Sequence, residues 1–271
     1  MFSVIQKSDK NHWFPRRGYR IRRMKGAEVD YALVTLCSDR VRWEQLRDEI
    51  ADTSNRAVLQ RGLFLPEESG IRPIDVQPFE YQLLKNAAVQ FLKGTNLPMK
   101  EIAVTLIDLR GVYHDFARTL VQFCGKLKVV TLHTQSYREL AMRLLHETGA
   151  VFQITDVFQS PNENLVIISP SGFSVDFGGK VAVPIFTLEP RCFRNAVLVY
   201  GFKLRLPEEY AREFPETLDD MQLLSAIYSI EGKLGLRQAV PDSCMLNGEE
   251  IPFGRLHELV GLDTEPEVAY N

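Results

Sequence analysis

Ile102-Ala103-Val104-Thr105-Leu106-Ile107-Asp108-Leu109-Arg110-Gly111-Val112-Tyr113 is the stretch on which the fold turns. A continuous apolar and β-branched run that ends in a carboxylate reads as a strand buried on both faces. Gly111 then opens a predicted helix over 113–124. The cycle repeats with a strand over 127–132, a loop over 133–136 and a helix over 137–147 closed by Gly149. Further strands are predicted over 150–155 and 164–169, and the apolar segments 181–186 and 196–200 add two more. Strands alternating with helices at this spacing predict an α/β fold with a Rossmann-like parallel sheet flanked by helices and joined by right-handed crossovers.

Upstream, Tyr19 to Met24 and Tyr31 to Cys37 read as strands, and Val41 to Ala51 carries a helical stripe of Val41, Trp43, Leu46 and Ile50. Residues 62–79, with Pro66, Pro73, Pro78, Gly62 and Gly70, forbid a long helix. A helix resumes over 79–93 and ends at Gly94. The expected organisation is a small α+β N-terminal domain over 1–78 and a Rossmann-like α/β domain over 79–271 with a C-terminal helical extension. In that extension Thr217 and Asp220 suggest a capped helix start, and Asn247-Gly248 suggests a tight turn before a short helix near 255–259.

The bulk composition narrows the function classes. The chain has 271 residues, 45% of them hydrophobic and 25% charged, which is ordinary for a globular protein. No apolar run approaches the roughly 18 to 20 residues that span a bilayer, so no membrane partner is expected. The first residues carry no secretory h-region, so a cytoplasmic location is expected. A net charge of −3 gives no global attraction to nucleic acid. One local exception is basic and aromatic: Lys7, Lys10, Arg16, Arg17, Arg20, Arg22, Arg23 and Lys25 are interleaved with His12, Trp13, Phe14 and Tyr19. That pattern suits phosphates and stacked bases, but it equally protects the edge of a sheet, and a nucleic-acid partner is not expected. Cys37, Cys124, Cys192 and Cys244 lie far apart without metal-ligand spacing, so no metal site is expected.

In a parallel sheet of this kind ligands bind beyond the carboxyl ends of the strands. The candidates are Asp108, Arg110 and Gly111 after the first central strand; Thr131, His133, Thr134 and Ser136 after the second; Thr155 and Asp156 after the third; Ser169, Ser171 and Gly172 after the fourth. Asp108 and His133 are the candidate proton-handling groups. Each also has a plain structural role open to it, Asp108 as the cap of the next helix and His133 as an idle loop residue.

The stretch Val130-Thr131-Leu132-His133-Thr134-Gln135-Ser136-Tyr137-Arg138-Glu139-Leu140-Ala141, with Leu144 to Ala150 and Ile167-Ile168-Ser169-Pro170-Ser171-Gly172, resembles the NAD(P)-binding domain of the shikimate dehydrogenase and glutamyl-tRNA reductase type. The resemblance covers about seventy residues. It implies a small catalytic domain ahead of a nucleotide domain, with NADP as the cofactor and Arg110, Gly111, Thr131, Thr134, Ser136, Arg138, Ser169 and Gly172 lining it. The first loop departs from the family. Where G-x-G-x-x-G lets backbone approach a pyrophosphate, this chain keeps only Gly111 beside an acidic Asp108.

Asp108-Leu109-Arg110-Gly111-Val112 also resembles the D-x-D-G-[TV] signature of haloacid-dehalogenase-type phosphatases, with Thr131 at their second-strand phosphate position. In that family the second Asp does the acid/base work. Arg110 stands there instead and cannot deprotonate, which implies an inactive relative. The reading that fits both departures is a Rossmann-like binding or scaffold protein for a small anion or a protein partner. An NADP-dependent oxidoreductase and an inactive phosphatase-like protein are the alternatives, and the apolar stripe of the C-terminal helix admits a homodimer.

Overall fold

The computed structural model describes residues 2–8, 17–25, 29–50, 56–158, 165–171, 175–231 and 234–260. The chain forms two compact units, one of residues 1–79 with 205–239, the other of residues 80–204 with 240–271. The helices of 205–239, read above as an extension of the later domain, therefore belong to the first unit.

The first unit is built on a five-stranded sheet of β1 (Phe2–Lys7), β2 (Tyr19–Lys25), β3 (Asp30–Leu36), β4 (Arg56–Leu59) and β5 (Arg72–Pro73) in the order β2-β3-β1-β4-β5. Only β2 runs antiparallel to its neighbour. Helix α1 (Trp43–Glu49) follows β3. Strand β1 holds the centre, with Phe2, Ser3, Val4 and Ile5 all buried. One face packs Ile5, Val34, Leu36 and Leu59 against Leu46 and Ile50 of the α1 region. On the other, Phe2 stacks on Phe214 at 5.9 Å and the Tyr31 ring lies tilted against Phe214 at 4.6 Å.

The returning segment contains α5 (Glu208–Ala211), α6 (Asp220–Glu231) and α7 (Leu234–Arg237). It is tied in by polar bonds: the Tyr31 hydroxyl donates to the Glu213 carbonyl at 2.8 Å, the Leu59 N–H to the Gln222 side chain at 3.0 Å, and the Ser225 hydroxyl to the Asp75 carbonyl at 2.8 Å. Asp219, not Thr217, caps α6, accepting the Gln222 N–H at 2.9 Å.

The boundary between the units falls within α2 (Gln77–Lys93). The second unit then runs β6 (Ala103–Ile107), α3 (His114–Leu120), β7 (Lys126–Val130), α4 (Thr134–Thr148), β8 (Phe152–Thr155), β9 (Val166–Ser169), β10 (Val175–Thr187), β11 (Phe193–Lys203), β12 (Ser243–Leu246), β13 (Glu249–Pro252) and α8 (Leu256–Val260). Strands β6 to β11 are parallel in the order β8-β7-β6-β9-β10-β11, extended by the antiparallel hairpin β12-β13. In chain order this is 3-2-1-4-5-6, the strand order of a dinucleotide-type Rossmann sheet.

Register shows what covers this sheet. Phe186, Ile168, Leu106, Val129 and Ile154 share one row and hence one face. That face meets α2 through Phe91 on Phe186 at 5.2 Å and α4 through Tyr137 on Phe152 at 6.4 Å. The opposite face holds Ile107, Val130, Ile167 and Ile185, packed with the partly buried Leu109, Phe158, Cys192 and Leu198, a cluster that among the described residues contains none from an α-helix. Helices α3 and α4 join the strands of the first half, β6-α3-β7-α4-β8.

Candidate functional site

The crevice between β6 and β9 is where strand order reverses, and the loop after β6 is its floor. Asp108 is fully buried there. Its Oδ2 accepts the Tyr113 N–H and the Tyr137 hydroxyl, each at 2.7 Å. Gly111, with φ +67°, closes the turn by donating its N–H to the Asp108 carbonyl at 3.2 Å. A Cβ on Gly111 would sit 2.7 Å from that of His133. The close approach that this glycine permits is therefore to the neighbouring loop of its own chain.

These distances decide how the loop treats an anion. A Rossmann pyrophosphate is held by N–H groups at the start of the first helix. Here the amide just before α3 is already taken by the Asp108 side chain, which occupies the donor that a phosphate would use. Asp108 Oδ1 is buried without a hydrogen-bond partner, and both Asp108 and Arg110 act electrostatically on Tyr113 of the same loop. The residues of this loop do not fit a dinucleotide pyrophosphate.

The strands beside β6 end in the same way. Thr131 Oγ accepts the His133 N–H at 3.1 Å, Thr155 Oγ the Val157 N–H at 3.1 Å and Thr187 Oγ the Glu189 N–H at 3.0 Å, while Ser169 donates its hydroxyl to the Ser171 carbonyl at 2.8 Å. Each polar strand end is spent on its own loop, a local turn bond that Ser, Thr and Asp make readily.

Among the other expected residues, His133 is exposed and Thr134 and Ser136 half-buried at the start of α4, whose cap residue His133 makes no side-chain cap bond. Ser136 donates its hydroxyl to the His133 carbonyl at 2.9 Å and lies 3.2 Å from His114 Nε2, which makes the His114 N–H the donor of that pair. The His114 ring lies 4.4 Å from Tyr137. Arg110 and Arg138 are exposed, on the first loop and on α4. Gly172 lies outside the described residues. The structure thus joins Asp108, Gly111, His133 and Ser136 through Tyr137 and His114, two residues that sequence reasoning assigned no part. Its place three residues before Leu140 and seven before Leu144 marks Tyr137 only as a core position.

Burial pushes the Tyr137 phenol well above its ordinary value, and the hydrogen bond to Asp108 adds to the rise. Burial likewise raises Tyr113, against a hydrogen bond with Ser171 that lowers it. A proton on Tyr137 is therefore held in place, as a structural donor needs. Beside them, burial works to raise the Asp115 carboxyl, yet Lys85 and Tyr81 hold it below the usual range through bonds of 3.0 and 2.9 Å.

Two cavities of this unit lie elsewhere, about 580 and 400 Å³ at the amino ends of β7 and β8, lined by Gly125, Leu127 and Val151 in both. That is the end opposite to the one where such sheets hold ligands. Among the described residues no three His, Cys, Asp or Glu converge as a metal set, and no helix is long and apolar enough to cross a membrane.

No protein-family model matches the sequence, and no curated protein matches it. Two solved structures are similar in part. One is the ligand-free form of 5-ketofructose reductase of Gluconobacter sp. strain CHM43, at 13% identity and a TM-score of 0.32, over 56% of this chain and 58% of that one. The other is L-tryptophan dehydrogenase from Nostoc punctiforme, at 10% identity and 0.33, over 85% and 66%. The alignments thus span under two thirds of the length of either protein.

Proposed function

We propose that this chain is a Rossmann-like binding protein that takes no dinucleotide at its switch point and that meets a protein partner through the loops at the carboxyl edge. The observation that carries the reading is Asp108 Oδ2 on the Tyr113 N–H, a carboxylate of the chain standing where a cofactor phosphate would stand. The same edge exposes one large apolar side chain per loop: Val112 after β6, Leu132 after β7 and Val157 after β8, at 59%, 69% and 54% exposure. An apolar rim of this kind suits polypeptide better than phosphate.

Titration of the protein with NADPH and NADH, followed by nicotinamide fluorescence and thermal midpoint, tests the reading. No saturable binding and no rise in midpoint is expected. A second reading, an NADP-dependent oxidoreductase with His133 or Asp108 moving the proton, draws on the exposed Arg138 and the uncapped start of α4. It takes over if NADPH binds saturably and Arg138→Ala abolishes the binding, because a ligand at about 100 times its Kd adds about 2.7 kcal/mol.

A further inference from the structure

In the first unit a cavity of about 190 Å³ opens on the sheet, lined by Gln6, Ser8, Arg20, Arg22, Thr35 and Cys37 together with Leu33. Register explains the convergence. Arg20 pairs with Thr35 and Arg22 with Leu33 across β2 and β3, and Gln6 pairs with Thr35 across β1 and β3, so all of these side chains fall on one face. Ile21, between the two arginines, turns to the other face and packs on the core. The Gln6 amide donates to Thr35 Oγ at 3.5 Å, which leaves the Thr35 O–H directed elsewhere.

Among the described residues neither Arg20 nor Arg22 is in an ion pair, whereas Arg17, on the same stretch, is matched to Glu49 at 2.7 Å. An edge strand needs charge to stay unpaired, but edge protection does not call for a concave surface furnished with an amide and hydroxyls. We propose that this cavity binds a small dianionic oxyanion, a dicarboxylate or a phosphate group, held by the forks of Arg20 and Arg22 and by the Thr35 hydroxyl. Guanidinium forks match both anions in two-point geometry. The volume is below that of sites for drug-sized ligands, about 300 to 1,000 Å³, so the anion is small. This inference stands apart from the reading of the switch point, which lies in the other unit.

The test is calorimetric and NMR titration of the full chain with succinate in one arm and inorganic phosphate in the other, at low ionic strength. Saturable binding of at least one probe is expected, with amide shifts confined to β1, β2 and β3. Arg20→Gln and Arg22→Gln, both at exposed positions, should each weaken it about tenfold or more, and Arg22→Lys should weaken it less than Arg22→Gln because charge survives while the fork is lost. Preference for one probe identifies the source of the anion. Absence of saturation by both probes at about 10 mM, a concentration far above the micromolar to millimolar range of specific small-ligand sites, overturns the proposal. So does binding that both Gln variants retain with unchanged midpoints of unfolding.

Discussion

The carboxyl edge of the large sheet and the cavity on the small one are both polar, and they differ in where their polar groups find partners. Along β8, β7, β6, β9 and β10 each strand ends in Thr, Asp or Ser, and each of these side chains bonds to the loop it introduces. On β2 two guanidiniums share a face without a carboxylate beside them among the described residues. Buried polar groups are nearly always satisfied, and the first region does most of this internally, with Asp108 Oδ1 as the exception. A site for a ligand is recognised by what the chain itself leaves unsatisfied, so polarity at the expected place is a poor guide to binding.

The sharpest way to break this comparison is to empty the first region. Asp108→Ala strands the Tyr137 hydroxyl and the Tyr113 N–H in the interior, and each buried group left unmatched costs about 1–3 kcal/mol. A loss of about 3 kcal/mol or more in urea unfolding is expected. A loss below about 1 kcal/mol, on the same scale, would mean that the carboxylate is not a structural anchor. Next in size is Gly111→Ala. A side chain at φ +67° against His133 at 2.7 Å should cost about 2 kcal/mol, within the range for a strained backbone position. Tyr137→Phe removes one of the two bonds to Asp108, for about 1.5 kcal/mol. In a double-mutant cycle with Asp108→Asn the two changes should be strongly non-additive, since they share one hydrogen bond.

Much of the large sheet was legible in the sequence because its strands are uninterrupted apolar runs. Ile102 to Ile107 and Leu127 to Leu132 lie within a residue or two of β6 and β7. The helix expected over 113–124 stops at Leu120, because Gln122 and Phe123 donate to carbonyls three residues back and tighten the last turn. Strand β1 gave no such signal. Phe2, Val4 and Ile5 look like a stray apolar patch until β3 and β4 flank them, a context that no window of six residues contains. The site was legible as a set of polar strand ends, but their bonding was not. Asp108 as cap or as catalyst has one and the same sequence, and Tyr137 becomes part of the site only through a contact 29 positions away.

A smaller effect separates the two kinds of polar group by pH. Asp115 is held below its ordinary value of 3.8 by partners that exist only in the folded chain. Its contribution is therefore present above that value and lost as pH falls through the folded-state value. The carboxylate is about half exposed, which limits the contribution to about 1 kcal/mol or less. Asp115→Asn should flatten the acid limb of the stability curve by that amount and leave stability at pH 7 lower by the same margin.

The smallest effect is the one that sharpens the comparison most. Without an anion, Arg22→Gln relieves repulsion between two like charges on exposed side chains, so stability should change by no more than about 0.5 kcal/mol. The change should be upward at low salt and should fade as ions screen the pair beyond a Debye length of about 10 Å at 0.1 M. Addition of the anion should reverse that order. The native chain gains RT ln(1 + [L]/Kd) while the variant gains little, so the two denaturation midpoints cross as succinate or phosphate is raised. Parallel midpoints throughout would make the arginines of β2 edge protection alone, and the two polar regions would then differ only in exposure.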